Sequence, residues 1–316
     1  MRKPLKNLGI LALGLAGLLS CNAQESAAIH ISADEMKTNL EYLASDDLMG
    51  RKTGTEGIDK AADFITTIFE ENGVKPYYDT YRDSFKIGDV DAFNIVGYLE
   101  GNDPELKDEF VVIGAHYDHI GVGKEVDGDT IANGANDNAA GTTAVVELAK
   151  YFANIKDNKR SVLFILFSGE EMGLKGSYHS AKRLKEEGID IYTMINLEMI
   201  GVPMTDKDYL AYVTGFEETN LAEKFNEYTG KNTLGFFEGA KQMNLFKRSD
   251  NYPFYAEFNV PAQTICTFDF TNYPYYHHVK DEVSEMNPEH MANVVKAIIP
   301  GIHQILNTPE KEIKMN

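Results

Sequence analysis

The chain has 316 residues, 43% of them apolar, and a formal charge of −19 from 30 basic and 49 acidic residues. That is enough apolar material for a sizeable core, as one large domain or two small ones. A surface this acidic repels phosphate backbones and anionic headgroups, which excludes nucleic acid and a charged membrane surface as natural partners.

Residues 1–20 read as a signal peptide. Arg2, Lys3 and Lys6 precede an apolar run, Leu8 to Leu19, that is short for a membrane span. It ends Leu18-Leu19-Ser20-Cys21, which resembles a bacterial lipoprotein box. The expectation is an exported chain, periplasmic or cell-surface, lipid-anchored at Cys21, with residues 21–32 as lipidated N-terminus and tether. Losing the three basic residues of 1–20 takes the charge from −19 to −22. Cys266 is then the remaining cysteine, so no internal disulfide is expected.

The domain is expected over 33–308, with 309–316 as a tail. Met36, Leu40 and Leu43 have helical spacing over Ala33 to Leu43, with Ser32 and Glu35 as a capping box. A Gly-punctuated loop, 44–57, leads to an amphipathic helix ending at Gly73. Tyr77 to Ile87, Ala92 to Leu99 and Phe110 to Ala115 read as strands. Gly121 to Asn138 reads as a long loop and Ala139 to Phe152 as a helix. Val162 to Phe167 is an unbroken apolar run, too short for an ordinary helix, which predicts a strand buried on both faces. A helix follows over Leu174 to Glu187. Further strands are predicted over Ile191 to Leu197, Leu210 to Val213 and Ala262 to Phe268, with helices over Leu221 to Tyr228 and Pro288 to Leu306. Alternating strands and helices indicate a single α/β domain with a mostly parallel sheet.

Five polar clusters follow strands or interrupt loops. His116 closes a strand, with Asp118 two residues on; such a histidine is either a structural hydrogen-bonder or a metal ligand whose other nitrogen meets a carboxylate. Asp137 stands where a helix opens and reads equally as an N-cap. Glu170-Glu171 reads as an acidic helix start or as a paired acid/base and ligand. Glu198 ends a strand, and His277-His278 lies in a Tyr-rich loop. Taken together they supply nitrogen and oxygen donors and no thiolate, which suits two zinc ions sharing a carboxylate. Paired metals hold a water and polarise a carbonyl, while a free carboxylate moves the proton.

In order and wording these segments resemble the dizinc aminopeptidases of metallopeptidase family twenty-eight, relatives of carboxypeptidase Q and the glutaminyl cyclases. The matching stretches are LASDDLMGRKTGTEG, AHYDHIG, GANDNAAGTTAVVELA, FSGEEMGLKGS, MINLEMIG, RSDNYPF and YYHHVKDEV, spread over roughly 33–306. The resemblance implies a twisted, mostly parallel sheet of about eight strands between helices. It implies a zinc exopeptidase that removes N-terminal residues from peptides through a metal-bridged water.

Position by position it implies His116 and Glu198 on the first of two Zn2+ ions, Glu171 and His277 on the second, and Asp137 bridging them. Glu170 is the implied general acid/base and Asp118 the group that orients His116. Arg248 and Asp250 fall in a segment that lines the substrate side. Two positions depart from the family pattern: Glu198 is commonly Asp, and Asn251 is His in many relatives.

Two other readings compete. A glutaminyl cyclase uses nearly the same scaffold with one zinc, but known cyclases line the pocket with Trp and this chain has none. A non-catalytic module of related fold would have lost ligands that are present here.

Overall fold

The computed structural model describes residues 31–316; the expected signal peptide and Cys21 lie outside them. Ile31, placed in the tether by the sequence, is buried in the core. The last eight residues, read as a tail, also pack on the domain: Ile313 is buried, and the Asn220 N–H donates to the Lys314 carbonyl.

The strands in chain order are β1 (Lys75–Pro76), β2 (Arg82–Ile87), β3 (Val90–Leu99), β4 (Glu109–His116), β5 (Gly121–Val126), β6 (Asp129–Ala132), β7 (Ser161–Phe167), β8 (Asp190–Glu198), β9 (Ala211–Val213), β10 (Leu234–Gly235) and β11 (Ala262–Cys266). Nine of them form one sheet in the order β1-β3-β7-β4-β8-β11-β9-β10, with β2 on β3. The four central strands, β7, β4, β8 and β11, run parallel. Antiparallel partners flank them, β3 on β7 and β9 on β11, so the parallel character expected from sequence holds for the centre, while both flanks join it antiparallel and β10 pairs parallel with β9.

Strand β7 is buried throughout, and its side chains alternate between two layers. Val162, Phe164 and Leu166 join one core, and Leu163, Ile165 and Phe167 the other. Burying each such side chain contributes roughly 1.5–3 kcal/mol. The first core is covered by α1 (Ala33–Leu43), α2 (Glu56–Glu71), α3 (Gly141–Ile155), part of α5 (Leu221–Thr229) and α8 (Pro288–Asn307); α4 (Lys175–Glu186) covers the second. In α1, Ser32 Oγ accepts from the Glu35 N–H, and Met36, Leu40 and Leu43 face inward, so cap and apolar stripe agree.

Three expectations are corrected. The long loop after Gly121 contains the β5–β6 hairpin, closed by a turn at Asp127-Gly128 where both residues have positive φ. Helix α3 starts at Gly141, not Ala139. Two helices occur where none was read: α6 (Glu238–Gln242) and α7 (Asn251–Phe258), the latter completing the second layer through Phe254.

The parallel centre has a direct consequence. His116 pairs with Phe167 in register, and Glu198 with Cys266, so strands β4, β7, β8 and β11 end at one edge of the sheet. Polar segments following those ends are thereby brought side by side.

Candidate metal centre

His116 is the last residue of β4 and is buried. Its Nδ1 lies 3.2 Å from the Asp118 carbonyl oxygen and 3.7 Å from the Asp118 carboxylate. The nearer orienting acceptor is therefore the backbone of Asp118, where the sequence pointed to its side chain. The carboxylate has other partners: Oδ1 accepts from the Glu170 N–H at 3.2 Å, and Oδ2 from Thr53 Oγ1 at 3.0 Å. Thr53 Oγ1 in turn accepts from the Gly169 N–H. Asp118 and Thr53 thus pin the turn after β7 to the end of β4.

That turn carries Glu170 and Glu171 five and four residues ahead of α4, outside its first turn. The Gly173 and Leu174 N–H groups donate to the Glu170 carbonyl, so the backbone is closed locally and both side chains project from it.

Asp137 is not an N-cap. It lies in an irregular turn, Ala135–Ala140, whose Asp137-Asn138 peptide is cis, before α3 begins. Asn138 does the capping: its Oδ1 accepts from the Gly141 and Met199 N–H groups, and its Nδ2 donates to the Leu197 carbonyl. The Asp137 backbone is held from below by Asp281, whose carboxylate accepts from the Asn136 and Asp137 N–H groups at 2.7 and 3.0 Å. Arg51 adds a buried brace, donating to the carbonyls of Leu43, Tyr117, Asn133 and Gly134 and so joining the β4 end to the Asp137 turn. Neither Arg51 nor Thr53 was singled out from sequence, because a polar residue in a glycine-rich loop carries no periodic signal.

The held carboxylate of Asp137 faces two histidines on opposite sides. His116 Nε2 is 3.3 Å from Oδ1, and His277 Nε2 is 3.3 Å from Oδ2. His277 Nε2 is also 3.0 Å from Glu171 Oε2. Its ring stacks on Tyr276, with centroids 4.0 Å apart. His278 turns away, its Nδ1 accepting from the Lys280 N–H.

A further side chain joins this group. His119 Nδ1 is 2.9 Å from Glu171 Oε1 and 3.9 Å from Asp137 Oδ2. His119, Asp137 and Glu171 each offer a ligand atom within 4.8 Å of the other two. His116 Nε2, His119 Nδ1, Asp137 Oδ2 and Glu171 Oε1 are all buried, and none makes a hydrogen bond. Buried polar atoms are ordinarily paired, so a convergent unpaired donor set of imidazoles and carboxylates fits divalent cations with nitrogen and oxygen preference, zinc among them.

Glu198, at the end of β8, accepts from Ser249 Oγ and has His116 and Asp137 in its electrostatic surroundings. It borders an apolar cavity walled by Met199, Leu245, Phe268, Phe270 and Tyr276, with exposed Arg248 at the rim. Of the apolar residues in the 236–247 segment, only Leu245 lines this cavity. Asp250 is fully buried, and neither carboxylate oxygen has a hydrogen-bond donor. Asn251 is structural: it donates to the Phe246 and Ala262 carbonyls and accepts from Thr264 Oγ1, tying α7 to β11.

The electrostatics follow from burying many carboxylates together. Burial, with Asp137 nearby, pushes Glu198 up to about 7. Burial, with Glu198 and Asp118 nearby, pushes Asp250 up to about 7. Burial, with Asp250, Glu198 and Glu171 nearby, moves Glu170 well above the ordinary Glu range. Burial and Asp137 push Glu171 upward too, but contacts with His119 and His277 outweigh them and hold it below that range. Burial opposes the charged form of His277, yet Asp137 and Glu171 raise it to about 10.

A pH dependence results. Carboxylates raised on folding bind more protons in the native chain, so their contribution is lost as pH rises from about 4 towards 7. A histidine raised on folding stabilises below its unfolded value, and that contribution fades between about 6.5 and 10. Both act in one direction. The metal-stripped protein is therefore expected to lose roughly 5 °C or more in Tm between pH 5 and pH 9, measurable by calorimetry in chelator; a Tm rising over that range would contradict these environments. Added zinc should reverse the trend, because deprotonated ligands bind metal best.

Comparison with known proteins bears on this centre. The chain is 30% identical over 189 residues to a protein named "Probable zinc metalloprotease" of Pyrenophora teres f. teres, covering 54% of this chain and 39% of that one. It is 25% identical over 286 residues to a "Probable leucine aminopeptidase" of Arthroderma otae, covering 86% and 70%. The chain thus spans well under half the length of the first of these relatives. Its fold superposes on the LapA aminopeptidase of Legionella pneumophila with a TM-score of 0.69 at 24% identity, covering 89% of this chain and 73% of that one. It also superposes on the glutaminyl cyclase of Fimbriiglobus ruber with a TM-score of 0.69 at 21% identity, covering 87% and 95%. The model of Peptidase family M28 matches residues 94–301, a span running from β3 through every strand of the centre to α8 and enclosing His116, Asp137, Glu171, Glu198 and His277. With that match over most of the chain, the protein belongs to Peptidase family M28.

Proposed function

We propose that this chain is a zinc-dependent aminopeptidase that uses two metal positions bridged by Asp137. The observation that carries the reading is the two-sided environment of that carboxylate, with His116 on Oδ1 and His277 on Oδ2. A carboxylate flanked this way is suited to bridge two cations. His116 and Glu198 would hold the first, and Glu171 and His277 the second. Bound zinc supplies Lewis acidity towards the scissile carbonyl and makes water a better nucleophile.

The protein's own groups do the rest. Glu170 projects from a turn fixed by Asp118 and Thr53, and its raised proton affinity suits it to take a proton from the attacking water and deliver it to the leaving amine. The carboxylates at the cleft, Glu198 among them, would attract a substrate ammonium, and fully buried Asp250 adds to their field without lining the cavity. The apolar cavity beside Glu198 accepts the N-terminal side chain, with Arg248 at its mouth.

The experiment is a panel of free and N-blocked peptides assayed with and without chelator. Release of N-terminal residues from free peptides only, abolished by chelator and restored by zinc, is expected. Turnover unaffected by chelator, or confined to blocked peptides, would contradict the reading. Because a glutaminyl cyclase shares the fold, Gln-peptides belong in the panel: pyroglutamate formed without cleavage would favour cyclisation instead.

We also propose export and lipid anchoring at Cys21, on the basis of the basic start, apolar run and Leu-Leu-Ser-Cys segment. Fatty-acid labelling should be lost in C21A; labelling that persists would contradict it.

A further inference from the structure

His119 is unaccounted for by the five-ligand scheme. It is wholly buried, neither ring nitrogen makes a hydrogen bond, and Nδ1 points at the two carboxylates assigned to the second metal position. A histidine left in this state costs stability unless something satisfies it. Its placement is built in. Gly134 has φ 59°, and a Cβ there would lie 2.6 Å from the His119 ring, so the glycine makes room for the imidazole. The His119 ring meets that of His277 edge-on, with centroids 5.6 Å apart.

The donor separations have the size of a coordination shell. Around zinc, bonds of about 2.1 Å in a tetrahedron place neighbouring donors about 3.4 Å apart. Here His119 Nδ1 is 2.9 Å from Glu171 Oε1 and 3.9 Å from Asp137 Oδ2; His277 Nε2 is 3.0 Å from Glu171 Oε2 and 3.3 Å from Asp137 Oδ2. His119, Asp137 and Glu171 thus offer mutually close ligand atoms, and His277 lies against the same two carboxylates.

We propose that His119 Nδ1 is a sixth protein ligand, completing a four-donor shell at the second metal position with Asp137, Glu171 and His277. The inference rests on the dimetal reading above and adds an asymmetry to it. A position with four protein donors is closed, whereas one held by His116, Asp137 and Glu198 keeps an open site. The second position then binds metal more tightly and serves structure and charge, while exchange and substrate access belong to the first.

Cobalt titration of the stripped full chain, followed by its visible d–d bands and by metal analysis after dialysis, tests this. The unaltered protein should fill in two resolved steps. In H119Q the tighter step should weaken about 100-fold or more and its band pattern change. H119C gives a signal that does not depend on loss: a thiolate placed in the shell should produce a thiolate-to-cobalt charge-transfer band missing from the unaltered protein, whose Cys266 serves as the internal control. Unchanged cobalt affinity and d–d bands in H119Q, together with no charge-transfer band in H119C, would overturn the assignment. Failure of the unaltered protein to bind two metals would instead overturn the dimetal reading, so the two failures are distinguishable.

Discussion

Glu170→Gln is expected to lower kcat by about 10²- to 10⁴-fold, the usual worth of a positioned acid/base, with metal content and Tm near those of the unaltered protein. The substitution is isosteric and removes only the ability to exchange a proton. The backbone at this position is fixed independently of the side chain, by the Glu170 N–H to Asp118 and by two N–H groups donating to its carbonyl. The side chain sits among Asp250, Glu198 and Glu171, so burial and like charge favour its protonated form. An amide in that setting resembles the favoured protonated carboxyl and should not destabilise the fold. Steady-state kinetics with metal analysis on the same sample checks this, and turnover like the unaltered protein's would remove Glu170 from the proton-transfer role.

Asp137→Ala should act through the metals instead. Each oxygen of this carboxylate faces a different histidine, so its loss takes a donor from both positions at once. The expected result is a fall from two zinc ions per chain to less than one, with activity lost in proportion. Stabilisation by zinc should fade too, from about 4 kcal/mol at a thousandfold excess over Kd. The Asp281 carboxylate holds the backbone N–H groups of Asn136 and Asp137, so the turn itself should survive the truncation. Elemental analysis and calorimetry with and without zinc separate metal loss from misfolding. Two retained zincs would contradict the bridging role.

Much of this arrangement was legible in the sequence because buried parallel strands leave a strong mark. Val162 to Phe167 is apolar at every position, and the strand observed, Ser161–Phe167, extends it by a single residue. Helix α1 has the predicted bounds because cap and stripe agree. What escaped was information without periodicity. The β5–β6 hairpin is rich in Gly and Asp, with alternation too weak to distinguish it from loop. Helix α7 has a Pro and four aromatics in eight residues, and only Asn251, Pro253 and Phe254 are buried, so no amphipathic stripe marks it.

At the site, residues at strand ends were readable from the abrupt change to polar character. Groups that work by holding others, Arg51, Thr53 and Asn138, become visible only when the chain is folded. His119 lay in plain view, three residues after His116, but spacing alone did not reveal that its ring turns towards Glu171.

The most direct test of the central claim is anomalous diffraction at the zinc edge from crystals of the zinc-loaded chain. Two peaks are expected, one on each side of the Asp137 carboxylate, the first facing His116 and Glu198 and the second facing Glu171, His277 and His119. A single peak, or peaks away from Asp137, would contradict the account.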